Sequence, residues 1–405
     1  MMRPVRRFLL TLEDLGYVRS EDRRFALTKG ETMGMRDTPP FRADHVGSLL
    51  RPPELLTARA EHAAGRIDDD ELRGIEDEAV REVVALQRDV GLRSATDGEF
   101  RRASWHMDFI YALDGITKAP GDLTVQFHNA QGDIEFTPAA MQIDGRIGVS
   151  ETIFGSAFTS LKSCVADGQT PKLTIPSPSM VHYRGGRAAI DPKVYPDLDA
   201  FWSDLTGAYR EQVRRVHELG CTYLQFDDTS LAYLNDPRQR EHVREIGGDA
   251  EHQHEQYIAH INEALAGRPE GMSVTTHMCR GNFRSSWVAE GGYDFIAEAL
   301  FNELAVDGLF MEWDDARSGG FEPLRFVPKG KVVVLGLVTT KRGELEDRDA
   351  LKRRIDEAAQ YIDLDQLCLS PQCGFSSTFE GNSLTRDQQA DKLRMIVEVA
   401  AEVWS

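Results

Sequence analysis

From Phe41 onward, short apolar runs alternate along the chain with longer segments of helical periodicity. This alternation is typical of βα units that build a parallel sheet. The apolar runs predict eight strands, near residues 42–47, 93–97, 172–177, 221–227, 272–278, 308–313, 331–338 and 366–371. The segments 69–90 and 347–362 have helical periodicity and open with acidic residues, which suit a helix N-terminus. Eight strands in this order predict a closed (β/α)8 TIM barrel, an α/β fold.

One stretch departs from the alternation of strands and helices. Residues 120–150 place Gly121, Gly132 and Gly145 between alternating apolar positions, which predicts a β-hairpin inserted into a loop of the barrel. An open, doubly wound sheet is the alternative architecture, and it usually carries a glycine-rich phosphate turn after its first strand. That place holds residues 45–48, with the sequence His-Val-Gly-Ser, which favours the barrel.

The N-terminal segment has a different character. Residues 6–28 read as an amphipathic helix, a turn and a short hairpin, and they resemble the recognition helix and wing of the winged helix in IclR-type regulators. The helices that precede these elements in that module are missing, and about 25 residues bury too little apolar surface to fold alone. We therefore expect residues 1–40 to form an N-terminal appendage and linker, and residues 41–405 to form the barrel domain.

Composition narrows the classes of partner. Asp and Glu number 66 against 47 Lys and Arg, a net charge of −19, which repels nucleic-acid phosphates and anionic lipid. This charge argues against a DNA-binding regulator, the function class that the N-terminal resemblance suggests. No apolar run reaches the roughly 18 residues of a membrane helix, and no signal-peptide pattern is present. We expect a cytoplasmic protein whose partners are small molecules, not nucleic acid or membranes.

The cysteines point to metal binding rather than to disulfides. Five cysteines, an odd number spread over a long chain, are poor material for a disulfide framework. His277 and Cys279 end the predicted strand 272–278 and point to the same face, so both can reach one metal ion. Taken alone, such a pair is more often a partly buried histidine beside a packing cysteine.

Two later strands end in further potential ligands, Glu312 and Cys373. Because all strand C-termini of a barrel converge on one face, these side chains can meet His277 and Cys279 there. Two thiolates, one imidazole and one carboxylate form a tetrahedral set suited to Zn²⁺. Such an electron-rich shell with a displaceable carboxylate favours binding and activating a small thiol. A purely structural zinc is the alternative, although structural sites usually draw their ligands from close-set knuckles.

The same barrel face collects a second group of polar residues at strand ends. They are Gly47 and Ser48 after the first strand, Asp97 and Glu99 after the second, and Asp227 and Asp228 after the fourth. Carboxylates there can hold an ammonium group, and the Gly47-Ser48 backbone and hydroxyl can bind a carboxylate, which together describes an amino-acid pocket. The alternative is structural: Glu99 pairs with Arg101 or Arg102, and an aspartate caps the next helix.

Six ordered segments resemble landmarks of the C-terminal catalytic domain of cobalamin-independent methionine synthase, above all its short single-barrel homologues. They are FRADHVGSLLRP, ATDGEF, YLQFDD, THMC, LFMEWDDARSGG and SPQCG, and the similarity covers residues 41–405. The resemblance implies that His277, Cys279, Glu312 and Cys373 bind zinc. It also implies that Gly47, Ser48, Glu99 and Asp227 hold homocysteine. The implied reaction transfers a methyl group, from a methyltetrahydrofolate, to the homocysteine thiol and yields methionine.

The chain departs from the family pattern on the methyl-donor side. Full-length members carry a separate N-terminal barrel that helps to hold the folate. Where they have a histidine after strand seven, a proposed proton carrier, residues 336–340 read Gly-Leu-Val-Thr-Thr, and residues 178–184 stand where they place a folate-stacking tryptophan. The donor is therefore open between a short-tailed methyltetrahydrofolate, another methyl carrier and a different electrophile. Alkyl transfer to another small thiol, as in coenzyme M epoxide transferases, and a zinc-free binding barrel are the alternative functions.

Removal of residues 1–35 should leave catalysis and thermal unfolding nearly unchanged, because every predicted site residue lies in the barrel domain. The specific activity and the Tm of the shortened chain, compared with those of the full chain, test this. A large loss of either would show that the N-terminal segment supports the barrel.

Overall fold

A computed structural model describes residues 36–120, 125–129, 132–136 and 140–405, and the winged-helix-like segment 6–28 lies outside them. The strands in this part of the chain are β1 (Ser94–Ala95), β2 (Asp114–Ala119), β3 (Val125–Asn129), β4 (Gly132–Phe136), β5 (Ala140–Gly148), β6 (Thr170–Pro176), β7 (Tyr223–Asp228), β8 (Ser273–Met278), β9 (Gly308–Glu312), β10 (Val332–Val338) and β11 (Leu367–Pro371). Among them, seven form one sheet in the order β1-β6-β7-β8-β9-β10-β11, and every pairing in it is parallel.

Helices follow most of the sheet strands. They are α1 (Pro53–Ala63), α2 (Asp69–Asp89), α3 (Met107–Ile110), α4 (Gly155–Cys164), α5 (Ser179–Tyr183), α6 (Leu198–Glu218), α7 (Ser230–Tyr233), α8 (Pro237–Glu245), α9 (Gln253–Ala264), α10 (Ala297–Glu303), α11 (Arg348–Ala358) and α12 (Arg386–Trp404). Two of these helices, α2 and α11, were predicted in part from the acidic residues at their starts, and each has an aspartate N-cap. Asp68 accepts hydrogen bonds from the backbone N–H groups of Asp70 and Glu71 at the start of α2, and Asp347 accepts one from Ala350 in α11.

The first predicted strand, residues 42–47, is not a regular strand, which corrects the sequence prediction. It makes a single parallel bridge between Ala43 and Leu369 of β11. Its later carbonyls accept hydrogen bonds from side chains instead of a neighbouring strand: His45 O from Lys172 Nζ at 2.6 Å, Val46 O from Gln225 Nε2 at 2.7 Å and Gly47 O from Thr96 Oγ1 at 2.6 Å.

The segment 42–49 nevertheless occupies the eighth position of the barrel. Asp44 N donates to Leu369 O of β11 at 3.0 Å, and Leu49 N donates to Gly98 O, just after β1, at 3.1 Å. It therefore lies between the two edge strands of the curled sheet. The predicted α/β, TIM-barrel-like fold is confirmed, with seven regular strands and this irregular eighth segment.

The predicted inserted hairpin is present and is larger than expected. β2 pairs antiparallel with β5, and the β3–β4 hairpin extends between them, so the insertion spans residues 114–148 rather than 120–150. His128 of β3 exchanges two backbone hydrogen bonds with Trp287, at 2.7 and 2.9 Å. Trp287 lies in the loop after β8, so the insertion packs over the rim where the strands end.

A charged pair is buried within the barrel. Lys172 of β6 and Asp44 have fully buried side chains and lie 3.6 Å apart. Asp44 also accepts hydrogen bonds from Tyr223 Oη at 2.8 Å and Ser94 Oγ at 2.7 Å. Burial lowers the pKa of Lys172, against the opposing charge of Asp44. These bonds tie the irregular segment to β1, β6 and β7.

No helix in the described part of the chain combines the length and apolar character needed to cross a bilayer.

Replacement of Lys172 by Met should lower the free energy of unfolding by about 3–5 kcal/mol, because the change leaves Asp44 buried without its cation. The exposed pair of Arg73 and Asp70 offers a control: Arg73→Met should cost less than about 1 kcal/mol. Urea denaturation of both variants measures the two effects. Equal effects would show that the buried pair contributes no more than a surface pair.

Candidate metal centre and substrate pocket

The four predicted metal ligands lie together at the rim where the parallel strands end. His277 is in β8, Cys279 follows β8 directly, Glu312 ends β9 and Cys373 comes just after β11. One donor atom from each lies within 4.8 Å of the others, and all four residues are buried. The register of the sheet accounts for this convergence, since Met278 pairs with Met311 and Gly336 of β10 pairs with both Glu312 and Ser370. The strands therefore finish at one level.

The donor set fits a tetrahedral zinc ion. The sulfur atoms of Cys279 and Cys373 are 3.6 Å apart. Two sulfurs bound about 2.3 Å from one tetrahedral zinc would lie about 3.8 Å from each other. Both ring nitrogens of His277 are buried without a well-aligned hydrogen bond to a described residue, although the ring lies beside the Cys373 thiol, so a nitrogen lone pair is available to a metal. An unpaired buried imidazole is costly, which favours an ion at this position.

The protonation of the two thiols is uneven. The neighbouring Cys279 thiol, the imidazole of His277 and the charge of Lys341 hold the pKa of Cys373 well below its usual range, although burial opposes them. The contact with Cys373, together with burial, raises the pKa of Cys279 well above its usual range. The geometry by itself therefore favours one thiolate, Cys373. A bound divalent cation would stabilise the second thiolate as well.

Glu312 is held in place from two sides. Its Oε1 accepts a hydrogen bond from Arg280 N at 2.9 Å, and its Oε2 accepts one from Arg317 Nη2 at 3.1 Å. Burial raises the pKa of Glu312, and the charges of Arg317 and Lys341 oppose that rise. Sequence reasoning did not single out Arg317, although it lies within the quoted segment LFMEWDDARSGG.

A cavity of about 450 Å³ opens beside the metal cluster. Its wall includes Ser48, Glu99 and Asp227 of the predicted amino-acid pocket, together with the three predicted ligands His277, Cys279 and Cys373. The structure thus brings the two predicted groups of residues to one cavity, although it does not by itself test their roles.

Gly47 does not line this cavity but packs closely against Thr174. A Cβ added to Gly47 would lie 2.7 Å from Thr174 Cγ2, and its φ of +147° is one that other residues rarely adopt. Gly374 packs against Ser48 in the same way, since a Cβ on it would lie 1.9 Å from Ser48 Oγ. Two glycines therefore let the chain pass close to Thr174 and Ser48.

The two aspartates that end β7 make different contacts. Asp228 accepts hydrogen bonds from Leu231 N at 2.7 Å and from the hydroxyls of Ser177, Ser179 and Ser230, so it holds the first turn of α7. Asp227 instead lines the cavity and accepts one hydrogen bond from Gln225 Nε2 at 2.6 Å. The helix-capping alternative thus applies to Asp228 and not to Asp227. Asp97 accepts from Glu99 N at 2.9 Å and shapes the turn, and it is not among the residues that line the cavity.

Glu99 faces the cavity with spare hydrogen-bonding capacity. Its Oε1 accepts from Thr174 Oγ1 at 2.8 Å and lies 3.6 Å from Arg102, whereas its Oε2 is buried without a partner among the described residues. Arg101, the other predicted partner, pairs with Glu76 and Asp77 instead.

Burial makes both pocket carboxylates hard to ionise. It raises the pKa of Glu99, and it raises the pKa of Asp227 to about 7, with the charge of Glu99 adding to the rise and His277 opposing it. A cationic ligand between Glu99 and Asp227 would relieve this cost. The pair therefore suits an ammonium group.

The sequence analysis did not predict the aromatic residues in the wall of the cavity. They form an aromatic wall that includes Trp105, His106, Tyr111 and Phe127. The rings of Trp105 and His106 lie 4.3 Å apart, and burial, with the charge of Arg184, lowers the pKa of His106 well below its usual range. Their place in the sequence could have indicated them, because Trp105 and His106 follow closely after the segment ATDGEF, which ends in Phe100.

Comparison with known proteins identifies the family of the chain. The sequence profile of the family described as cobalamin-independent synthase, catalytic domain, matches residues 41–402. The uncharacterized protein YxjG of Bacillus subtilis is 46% identical over 379 residues, which are 91% of this chain and 96% of that protein. The 5-methyltetrahydropteroyltriglutamate–homocysteine methyltransferase of Bacillus licheniformis is 22% identical over 379 residues, 91% of this chain and 44% of that protein. The crystal structure of a proposed vitamin-B12-independent methionine synthase from Listeria monocytogenes is similar with a TM-score of 0.72 and 37% identity, covering 90% of this chain and 98% of that one.

The chain belongs to the cobalamin-independent methionine synthase family and contains its catalytic domain. The family resemblance seen in the sequence is thereby confirmed, as is the predicted class of enzyme, a methyltransferase of the methionine synthase type. The roles of the individual ligands and pocket residues, and the boundary near residue 40, stay predictions.

Zinc analysis of purified protein tests the metal centre. Wild-type protein should retain about one zinc ion per chain after dialysis, and Cys373→Ser should lose most of it while its circular dichroism is unchanged, because Cys373 follows the strand and does not fill the core. Cys164→Ser is the matched control, since Cys164 lies outside the cluster. Equal zinc content in both variants would contradict the assignment of Cys373.

Proposed function

We propose that this enzyme transfers a methyl group from a methyltetrahydrofolate to the thiol of homocysteine, with zinc held by His277, Cys279, Glu312 and Cys373. The observation that carries the proposal is the meeting of two sites in one cavity, a buried four-residue donor cluster and the two buried carboxylates of Glu99 and Asp227. The cluster suits a thiol, and the carboxylates suit an ammonium group. Homocysteine carries both groups a few bonds apart.

The pocket residues would bind the amino-acid end of homocysteine. Glu99 and Asp227 would hold its ammonium group, because each lines the cavity and burial penalises each carboxylate unless a cation lies beside it. Ser48 would donate its hydroxyl to the carboxylate of homocysteine. This arrangement orients the side chain of homocysteine toward Cys279 and Cys373.

A zinc ion in the four-residue shell would lower the pKa of the homocysteine thiol and present it as a nucleophile. The chain itself holds that shell rigid: the backbone N–H of Arg280 and the guanidinium of Arg317 fix Glu312, and the strand ends fix His277. Ligands held in this way lose little freedom when a substrate arrives.

The reaction moves a proton, so a proton carrier near the methyl donor would assist it. When the sulfur–methyl bond forms and the nitrogen–methyl bond breaks, the thiol proton is released and the donor nitrogen takes one up. His106 lines the cavity, and its Nε2 is buried without a partner among the described residues. Its lowered pKa keeps the imidazole neutral, so one nitrogen can accept a proton while the other donates. We assign this transfer to His106, in place of the histidine that the family carries after strand seven.

The aromatic wall supports a donor with a flat ring. Trp105, Tyr111 and Phe127 line the same cavity as the two carboxylates, and an apolar ring system can stack on them. Support also comes from the Bacillus licheniformis relative, which is named for a methyltetrahydropteroyl donor and homocysteine as acceptor. A cytoplasmic location stays a prediction.

A steady-state assay tests the proposed function. Purified enzyme is given methyltetrahydrofolate with homocysteine or with coenzyme M, and methylated thiol is measured by mass spectrometry. We expect methionine from homocysteine and at most trace product from coenzyme M, because coenzyme M has no ammonium group for Glu99 and Asp227. Turnover of coenzyme M alone would favour the alternative of alkyl transfer to another thiol.

Replacement of Asp227 by Asn should raise the KM for homocysteine about tenfold to a hundredfold, because one charge-assisted hydrogen bond to the ammonium group is lost. The zinc content and the KM for the donor should stay near wild type. Asp228→Asn is the neighbouring control: it should lower the Tm, because it weakens the first turn of α7, without raising the KM for homocysteine. A KM for homocysteine that is unchanged in Asp227→Asn would remove the ammonium site.

A further inference from the structure

The buried side chain of Arg51 joins two loops at the rim of the barrel. Its Nη2 donates hydrogen bonds to Glu99 O at 2.8 Å and Arg102 O at 2.9 Å, in the loop after β1. Its Nη1 donates to Ser376 Oγ at 2.8 Å, Ser376 O at 3.2 Å and Thr378 O at 3.2 Å, in the loop after β11. The first loop carries Glu99 of the substrate pocket, and the second begins beside the metal cluster. One guanidinium therefore connects the two predicted sites.

The two loops meet where the barrel lacks a regular eighth strand. β1 and β11 are the edge strands of the described sheet, and the irregular segment 42–49 lies between them. Leu49 N of that segment donates to Gly98 O at 3.1 Å, and the two loops share a bridge between Ser104 and Thr378. No ladder joins β1 to β11 in the described sheet. Side-chain hydrogen bonds, such as those of Arg51, therefore carry a large share of the connection.

The backbone of Glu99 adopts a conformation that needs support. Its φ is +62°, in the left-handed region that residues other than glycine adopt at a cost. Asp97 Oδ1 accepts a hydrogen bond from Glu99 N at 2.9 Å. Glu99 O accepts one from Arg51 Nη2 at 2.8 Å and another from Arg102 N at 3.0 Å. Hydrogen bonds on both sides of Glu99 thus hold the conformation from which its side chain reaches the cavity.

The set of acceptors around Arg51 suits a guanidinium. All of them are uncharged oxygens, and they lie in two directions. A planar fork presents donors in several fixed directions, whereas the ammonium of lysine presents its donors around one nitrogen. Burial lowers the pKa of Arg51 to about 10, with the charge of Glu99 opposing the fall, so the guanidinium is protonated at neutral pH. Lysine at this position would keep the charge and lose the link between the loops.

We propose that Arg51 is a positioning residue for homocysteine binding, which joins two rim loops so that Glu99 stays at a fixed distance from the metal ligand Cys373. The inference rests on the proposed function, because that function assigns Glu99 to the ammonium group of homocysteine. Homocysteine has to place its thiol at the metal cluster and its ammonium group at Glu99 at the same time. A shift of about 1 Å between the loops would weaken one of these contacts. Arg51 acts through Glu99, since it is not among the residues that line the cavity.

A double-mutant cycle tests the link between Arg51 and Glu99. With zinc in excess, Arg51→Lys should raise the KM for homocysteine about tenfold and leave the KM for the methyl donor near wild type. In a Glu99→Gln background, Arg51→Lys should add less than about a twofold change, because the carboxylate that Arg51 positions is already gone. Effects on the KM that multiply in the double variant would overturn the proposal.

Arg42→Lys is the matched control. Arg42 and Arg51 are both 5% exposed. The guanidinium of Arg42 also donates to carbonyls, Leu367 O at 2.8 Å and Asp365 O at 3.0 Å, but at the start of β11 and thus at the other end of the barrel. Arg42→Lys should lower the Tm about as much as Arg51→Lys and leave the KM for homocysteine near wild type. If both variants raise this KM equally, the effect comes from general loss of stability and the proposal is wrong.

Hydrogen exchange separates failure of this inference from failure of the proposed function. Measured by mass spectrometry, exchange in Arg51→Lys should be faster than in wild-type protein in both loops, residues 98–103 and 374–380, and in Arg42→Lys it should not. Unchanged exchange in either loop of Arg51→Lys would overturn the proposal, whatever the activity.

If no donor supports methyl transfer, the proposed function fails, and the same double-mutant cycle is measured as the affinity for homocysteine by calorimetry. Loss of affinity in Arg51→Lys that disappears in the Glu99→Gln background would still establish the role of Arg51. Additive losses, or absence of homocysteine binding to wild-type protein, would overturn it.

Discussion

The site depends on the parallel register of the barrel strands, which brings side chains from distant parts of the chain to one level. Cys279 and Cys373 are far apart in sequence, yet their sulfur atoms lie 3.6 Å apart, because β8 and β11 run in the same direction and end at the same rim. β11 lies three strands from β8 in the sheet, so Cys373 can reach the other three donors only because the sheet has curled. Formation of the metal centre is thus coupled to closure of the barrel, and a bound ion would in turn stabilise the closed form.

Burial then determines the chemistry at that rim. Glu99, Asp227 and Glu312 each have a pKa raised by burial, so each is costly to keep ionised without a cation beside it. The chain neutralises Glu312 through Arg317, and it places Arg102 3.6 Å from Glu99. Asp227 makes no ion pair with any described residue and lines the cavity. Arg184, which lines the same cavity, makes no ion pair with any described residue. Groups left unsatisfied in this way reduce the stability of the empty protein and favour binding of a complementary ligand.

Whether a predicted strand matches the structure depends on the kind of interaction that forms it. Strands such as β10 are buried on both faces and therefore appear as continuous apolar runs, which is why their limits were predicted to within a few residues. The segment 42–47, which includes Arg42, Asp44 and His45, was also predicted to be a regular strand, and this was wrong. Its carbonyls are bonded by the side chains of Thr96, Lys172 and Gln225, and no local pattern reveals hydrogen bonds to residues so far along the chain.

The sequence by itself determined the fold class, through the alternation of strands and helices, and the family, through the resemblance of six ordered segments, because both depend on local sequence patterns. Only the tertiary structure decided that Asp227 faces the cavity while the adjacent Asp228 holds a helix turn, since the two differ in their long-range contacts and not in their type. It likewise decided that Arg184, on the wall of the cavity, has a buried Nη1 without a partner among the residues that the structure describes. Whether a charged side chain is satisfied depends on which groups the fold brings near it, and that follows from packing across the whole barrel.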